Sequence, residues 1–244
     1  MLIEYSMKRT LMTIVVLCCL GCSSAFASLN DEKHVVTVKY AIRSLGSEIG
    51  TVRAKTIGTA RNNDFYAETN VNAHFWFMGF TLTSSESASI RNGQLVSYHK
   101  SIDTKGHHKE ISGKLDRDVF KMVVRDGGKE EHRDIPAAAY TVTNMDYPEV
   151  NLVPGEIHKM TIADLENTGV VVREYRKVVE ENTVINERAI RVIAADFFDK
   201  NSEGRRWTAV VGGLPIVLRQ EGKEKTGLFN PSYKVEQTGI TVDP

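Results

Sequence analysis

Cysteine is absent from everything after residue 22. The chain has three, Cys18, Cys19 and Cys22, all within the first 27 residues. Should that segment be removed on export, what remains has no disulfide, no thiolate metal site and no cysteine nucleophile. A domain of roughly 200 residues buries enough surface to fold without cross-links, and an oxidising compartment permits disulfides without requiring them. Excess charge is equally lacking: 31 Lys and Arg stand against 31 Asp and Glu, and without residues 1–27 the counts are 29 and 30. A neutral chain offers no electrostatic surface for nucleic acid and no strongly basic face for a membrane. Also missing are a G-x-S-x-G elbow, an H-E-x-x-H pair, a P-loop, a dinucleotide fingerprint, internal repeats and low-complexity tracts. The expectation is a non-enzymatic protein with no cofactor and no nucleic-acid partner.

The apolar run that does occur, Leu11 to Leu20, is short. It falls below the ~20 residues a membrane-spanning helix needs. Lys8 and Arg9 precede it and Ala25-Phe26-Ala27 follows it, which is the order of a secretory signal. Cleavage after Ala27 leaves Ser28 first and releases a soluble periplasmic protein. Met7 stands directly before the basic pair and is the better start, because Glu4 is an unwelcome acid in that region. A second reading uses Leu20-Gly21-Cys22-Ser23, which resembles a lipobox and would anchor the protein to a membrane through acylated Cys22. Its weakness is Cys19, where a lipobox prefers Leu. The expected organisation is a signal peptide over 1–27 and a single β-rich domain over 28–244, with an internal boundary suggested near 135–154.

Period-2 alternation dominates the rest. Val36, Val38, Tyr40 and Ile42 share one face of a strand. From 65 to 77, Phe65, Ala67, Val71, Ala73, Phe75 and Phe77 oppose Tyr66, Glu68, Asn70, Asn72, His74 and Trp76. Turn residues separate such runs at Asn62-Asn63-Asp64, Arg91-Asn92-Gly93-Gln94, Asp126-Gly127-Gly128, Asn167-Thr168-Gly169 and Gly212-Gly213. Residues 33–134 thus read as a meander of about seven or eight antiparallel strands. Pro136, Pro148 and Pro154 interrupt the pattern, predicting a short helix or irregular crossover over 135–153. Further strands are expected near 156–163, 169–180, 186–196, 205–210 and 214–220, with a helical turn at Asp164-Leu165-Glu166. The fold class is all-β: an antiparallel meander forming a barrel or strongly curved half-barrel, the crossover serving as its cover.

Tyr40-Ala41-Ile42-Arg43 followed by Gly46 and Ile49-Gly50, then Thr168-Gly169, Trp207 and Leu214-Pro215-Ile216-Val217-Leu218, form a layout spread over nearly the whole exported chain. It resembles secreted bacterial families known only as domains of unknown function, numbers 6134 and 3108. Those families look similar in architecture to the lipoprotein carriers LolA and LolB, in which a curved sheet and a lid enclose an apolar cavity. The resemblance implies that architecture; no functional motif of the carriers matches residue by residue.

Phe75-Trp76-Phe77-Met78-Gly79-Phe80 is the most unusual stretch. Either it is ordinary core, or one face lines a cavity for an acyl chain, in which case Phe75, Phe77, Phe80 and Leu82 are the candidate ligand-binding residues. The implied partner is a lipid or other hydrophobic small molecule, the alternative an envelope protein held in a scaffolding contact. His107-His108 near Asp103 and Glu110 contains metal-ligand types, but neighbours on a strand point to opposite faces, so an exposed hairpin tip is the stronger reading. Asp116 and Asp118 are expected to decorate a solvent face between Lys114, Arg117 and Lys121. The run Ser84-Ser85-Glu86-Ser87 has no linked histidine. In Arg205-Arg206-Trp207 a cation can lie over the indole or grip an anionic head group, but the preferred reading makes Trp207 a core anchor.

Overall fold

Alternation from residue 34 onward folds into eight successive hairpin-linked strands: β1 (His34–Ser44), β2 (Ser47–Gly58), β3 (Asn63–Phe75), β4 (Met78–Arg91), β5 (Gln94–Thr104), β6 (His107–Asp116), β7 (Val119–Asp126) and β8 (Lys129–Pro136). The protein is described by a computed structural model covering residues 32–75, 78–185, 187–225 and 232–243. Residues 1–31 with Cys22, and likewise Trp76 and Phe77, lie outside the described residues; of Phe75 the backbone alone is described. The β4–β5 hairpin turns on Asn92 and Gly93 at φ 54° and 76°. Both central residues of such a turn need positive φ, which is why Asn-Gly stands there.

After β8 the chain crosses over through two single 3-10 turns, Ala137–Ala139 and Pro148–Asn151, with a two-residue strand β9 (Val142–Thr143) between them. It then runs back as β10 (His158–Asp164), β11 (Gly169–Ile185), β12 (Arg188–Phe198), β13 (Ser202–Val211), β14 (Leu214–Glu224) and β15 (Ser232–Asp243). The expected helical turn at 164–166 is the β10–β11 turn. The sequence reading missed β15, which pairs with β1 from Val35↔Asp243 to Ser44↔Tyr233. Its alternation holds through Tyr233 and Val235, then is lost at the register shift opposite Lys39 and Tyr40. A bulge of this kind flips the inward set and hides the period.

All fifteen strands belong to one sheet, ordered β8-β7-β6-β5-β4-β3-β2-β1-β15-β14-β13-β12-β11-β10-β9. Every ladder is antiparallel except β9 on β10. Register shifts at Ile42/Arg43, Ser89/Ile90, Trp207/Thr208 and Arg176/Val179 bend the strands, so the sheet curls on itself. It does not close. β8 approaches β11 without pairing with it, and its residues Lys129-Glu130-Glu131-His132-Arg133-Asp134 are exposed on both faces. Charges of this kind, ended by Pro136, keep a free edge from recruiting another strand.

The inner face carries the core. Its larger cluster covers β1–β8, with Ile42, Leu82, Ile90, Ile102, Ile111, Phe120 and Met122 fully enclosed, continues through Tyr233 and Val235 of β15 to Val211, Leu214 and Ile216 of β13 and β14, and is joined by Met145 from the crossover and Leu165 from the β10–β11 turn. A second cluster forms on β11 and β12 around Tyr175, Val178, Ile193 and Phe197, covered by Leu152 beside the second 3-10 turn. The ladder between β14 and β15 is a narrow joint in the sheet. β14 pairs with β15 only from Arg219↔Glu236 to Lys223↔Ser232, although β14 begins at Leu214 and β15 runs to Asp243. Where the two strands part, the Tyr40 hydroxyl donates to the Val217 carbonyl at 2.9 Å. That supplies a buried carbonyl with a donor the ladder does not provide.

Candidate functional site

Two polar networks are sealed inside the sheet. The first grows from the alternation itself: in β4 the inward series runs Phe80, Leu82, Ser84, Glu86, Ala88, Ile90, and in β5 it includes Tyr98, Lys100 and Ile102, all buried. Glu86 and Lys100 face each other directly in the ladder. Lys100 Nζ lies 3.5 Å from Glu86 Oε2 and 2.5 Å from Glu166 Oε1, and the Tyr98 hydroxyl donates to Glu86 Oε1 at 2.8 Å. Glu166 arrives from the β10–β11 turn, so the triad ties the two ends of the sheet together. Burial raises the Glu166 pKa to about 8, with the nearby Glu86 charge adding to the rise and Lys100 opposing it. One proton on Glu166 makes the enclosed triad neutral, the state a low-dielectric interior favours. On the far side of the same turn, Glu166, Asn167 and Thr168 border a groove of about 500 Å³ that also reaches Lys109 and Lys129.

The second network lies on β11–β14 under the crossover. Arg173 holds Asp199 through Nε at 2.8 Å and Nη2 at 2.7 Å. Arg206 Nη1 donates to Glu149 Oε1 at 2.9 Å, and its Nε donates to Gln220 Oε1 at 2.7 Å. Gln220 in turn donates to the Tyr233 hydroxyl at 2.6 Å, so a chain of polar contacts crosses the narrow β14–β15 joint. The Arg173 and Arg206 guanidinium carbons stand 5.2 and 5.4 Å from the centroid of the enclosed Phe197 ring, close enough for cation–π attraction. Gly204 makes room for that ring: a Cβ there would sit 2.9 Å from Phe197 Cζ and 2.1 Å from the Glu221 carbonyl. The four charges cancel pairwise, and each ion has its counter-ion, as buried charges require.

With this geometry in view, comparison with known proteins returns a fold. No family model matches the chain and no curated protein matches its sequence. The crystal structure of a beta-barrel-like protein of domain of unknown function DUF1849 from Brucella abortus does match. It has a TM-score of 0.58 at 9% identity, over 89% of this chain and 100% of that one. The chain has that protein's fold. At this identity the likeness concerns fold alone, and it agrees with the all-β curved sheet expected from the sequence.

Of the candidate ligand-binding residues, Phe80 and Leu82 point inward and pack in the core. Phe77 and the Phe75 side chain lie outside the described residues. A groove of about 740 Å³ runs elsewhere, where Leu45 and Phe198 are ringed by both signs of charge, Arg43, Arg205, Lys223 and Lys234 with Asp196, Glu203 and Glu221. Neither groove is lined by Phe80 or Leu82.

The histidine pair separates as strand geometry demands. His107 Nε2 meets Asp126 at 2.8 Å and His108 Nδ1 meets Asp103 at 2.7 Å, on exposed side chains; no cluster of three metal-ligating side chains occurs among the described residues. His107→Ala and His108→Ala are each expected to change stability by less than about 0.5 kcal/mol. Urea unfolding with and without added zinc checks this; a zinc-dependent midpoint would count against it. Asp116 is exposed and held by Lys121 at 2.6 Å, which keeps its carboxyl below the usual range. Asp118 sits in the adjacent turn, where its carbonyl accepts the Ala137 amide at 2.7 Å.

Trp207 departs from expectation. It is half-buried on the outer face, between Arg219 at 4.7 Å and Arg205 at 5.3 Å, and the buried residue of that run is Arg206. The β13 alternation explains this, since Ser202, Arg206 and Thr208 share the inner face.

Proposed function

We propose that the protein is an exported, non-enzymatic binding protein that takes a lipid or other hydrophobic ligand against the inner face of its curved sheet. The observation behind this reading is the apolar surface shared by β3 and β4, where Val71 and Ala73 face Leu82 and Phe80 in register and all four are buried. The end strands β8 and β9 are not joined, so this face can widen without breaking a ladder hydrogen bond. Phe80 and Leu82 are covered in the structure described here, so loading requires such an opening. Kinship with the families numbered 6134 and 3108, and with the LolA and LolB carriers, belongs to the same proposal. So does export by residues 1–27, with release into the periplasm favoured over anchoring through Cys22.

Protein purified from the periplasm is expected to carry a bound lipid in native mass spectrometry and to exchange it for a fluorescent fatty acid. Clean apo protein with no probe uptake overturns the proposal. The mass of the mature N-terminus distinguishes cleavage after Ala27 from acylation of Cys22.

A second reading, an envelope scaffolding module, draws on the exposed Val153, Ile157 and Val172 around the β9–β11 end of the sheet. Crosslinking in intact cells should then recover one dominant protein partner.

A further inference from the structure

The inner face changes character where the two ends of the sheet approach each other. Along β6 it passes from the enclosed Ile111 to Lys109, and along β7 from the enclosed Met122 through Val124 to Asp126, since side chains two apart share a face. The ladders set Lys109 opposite Asp126 and Asp126 opposite Lys129. A row of cation, carboxylate and cation therefore crosses the ends of β6, β7 and β8. These residues line the groove of about 500 Å³ that is bordered, from the other end of the sheet, by Glu166, Asn167 and Thr168 of the β10–β11 turn. Val124 lines it too, and packs on the larger core cluster.

The charges around this groove are unevenly satisfied. Asp126 is held by His107 at 2.8 Å, Glu131 by Arg133 at 2.9 Å and Glu166 by Lys100 at 2.5 Å. The Lys109 and Lys129 ammonium groups have no partner among the described residues, and neither has the Thr168 hydroxyl. Three donors, drawn from both ends of the sheet, thus border one groove without an acceptor. We infer that the groove is a binding site for a phosphate-type anion, held between Lys109 and Lys129 on one end of the sheet and the Thr168 hydroxyl on the other. An ammonium is a compact point charge with three donors, suited to phosphate oxygens. Glu166 does not oppose the anion near neutral pH, because burial raises its pKa to about 8. A cation is disfavoured, since the carboxylates lining the groove already have partners and the two lysines repel it. The anion is either free or the head group of a lipid whose chain continues past Val124 onto the inner face; the second case rests on the hydrophobic-ligand reading above, the first does not. Either one links β6–β8 to the β10–β11 turn, where no strand pairing does so.

Calorimetric titration with inorganic phosphate, oleoyl lysophosphatidic acid and uncharged monoolein tests the site and separates the two sources. The expected result is that the wild type binds at least one of the two anions and that Lys109→Gln/Lys129→Gln weakens this binding by about tenfold or more. Neither lysine is buried, so the urea midpoint of the double variant should stay that of the wild type. Phosphate binding as tightly as the lysolipid identifies a free anion as the occupant; preference for the lysolipid identifies a head group. The amide signals of Gly127 and Thr168 should shift together on binding, because the groove touches both ends of the sheet. Equal affinity of variant and wild type for both anions overturns the inference, and so does the absence of binding by either. Monoolein uptake shared by the two proteins would in that event leave the hydrophobic-ligand reading standing without this site.

Discussion

Arg206→Met is expected to lower the unfolding free energy by about 3–5 kcal/mol, because it leaves the Glu149 carboxylate enclosed without its cation. Glu149 is fully buried, and its single described ion pair is the one with Arg206. The substitution also takes the donor from Gln220 and one of the two guanidinium groups from Phe197. Pairing it with Glu149→Leu removes both charges at once. The double variant is expected to recover much of the loss, since a buried ion pair replaced by apolar groups of similar size is often near neutral. Urea unfolding of the two variants measures the difference. A loss under about 1 kcal/mol for the single variant would mean that Glu149 turns out to solvent.

Lys100→Met is expected to be of similar size, about 3–5 kcal/mol near pH 8, and to depend on pH. It leaves Glu86 and Glu166 as two enclosed carboxyl groups without their lysine. Glu166, with its pKa raised by burial, is protonated at pH 5, so the cost should shrink there. The wild type itself carries a pH signature. The folded Glu166 pKa, about 8, stands above the ordinary value of 4.5, so the folded protein binds more protons than the unfolded chain between those two values. The Glu166 contribution to stability is then fully present below about pH 4.5 and is lost as pH rises through about 8. Glu166→Gln removes the titrating group and should flatten the profile across that window. Denaturation curves at pH 5 and pH 8.5 test this; identical pH slopes for wild type and variant would show that Glu166 does not titrate in the fold.

The residues of the first network are legible in the alternation. Glu86 falls in the period set by Phe80, Leu82, Ala88 and Ile90, and Lys100 falls in the period of Tyr98 and Ile102. Opposite charges at inward positions of consecutive hairpin strands are a legible sign of an enclosed pair. In the run Ser84-Ser85-Glu86-Ser87 the residue that matters is the glutamate, which is buried. Strand parity outweighs side-chain size at Trp207: Ser202, Arg206 and Thr208 set the inward face, so the indole expected in the core lies outward. No comparable signal exists for Glu149. It lies in a crossover without period, and its partner stands 57 positions away.

By itself, the sequence determined the local structure: eight strands over residues 34–136, their hairpin turns and their inward faces. It could do so because side-chain alternation and turn chemistry act between near neighbours. The tertiary structure alone decided that β15 returns to close on β1, that the ladder narrows between β14 and β15, and that Glu149 and Glu166 are delivered to Arg206 and Lys100. The β1–β15 pairing and the two buried ion pairs join residues 57 to 208 positions apart. Burial sets their worth, and burial exists only once the whole sheet has curled around its core.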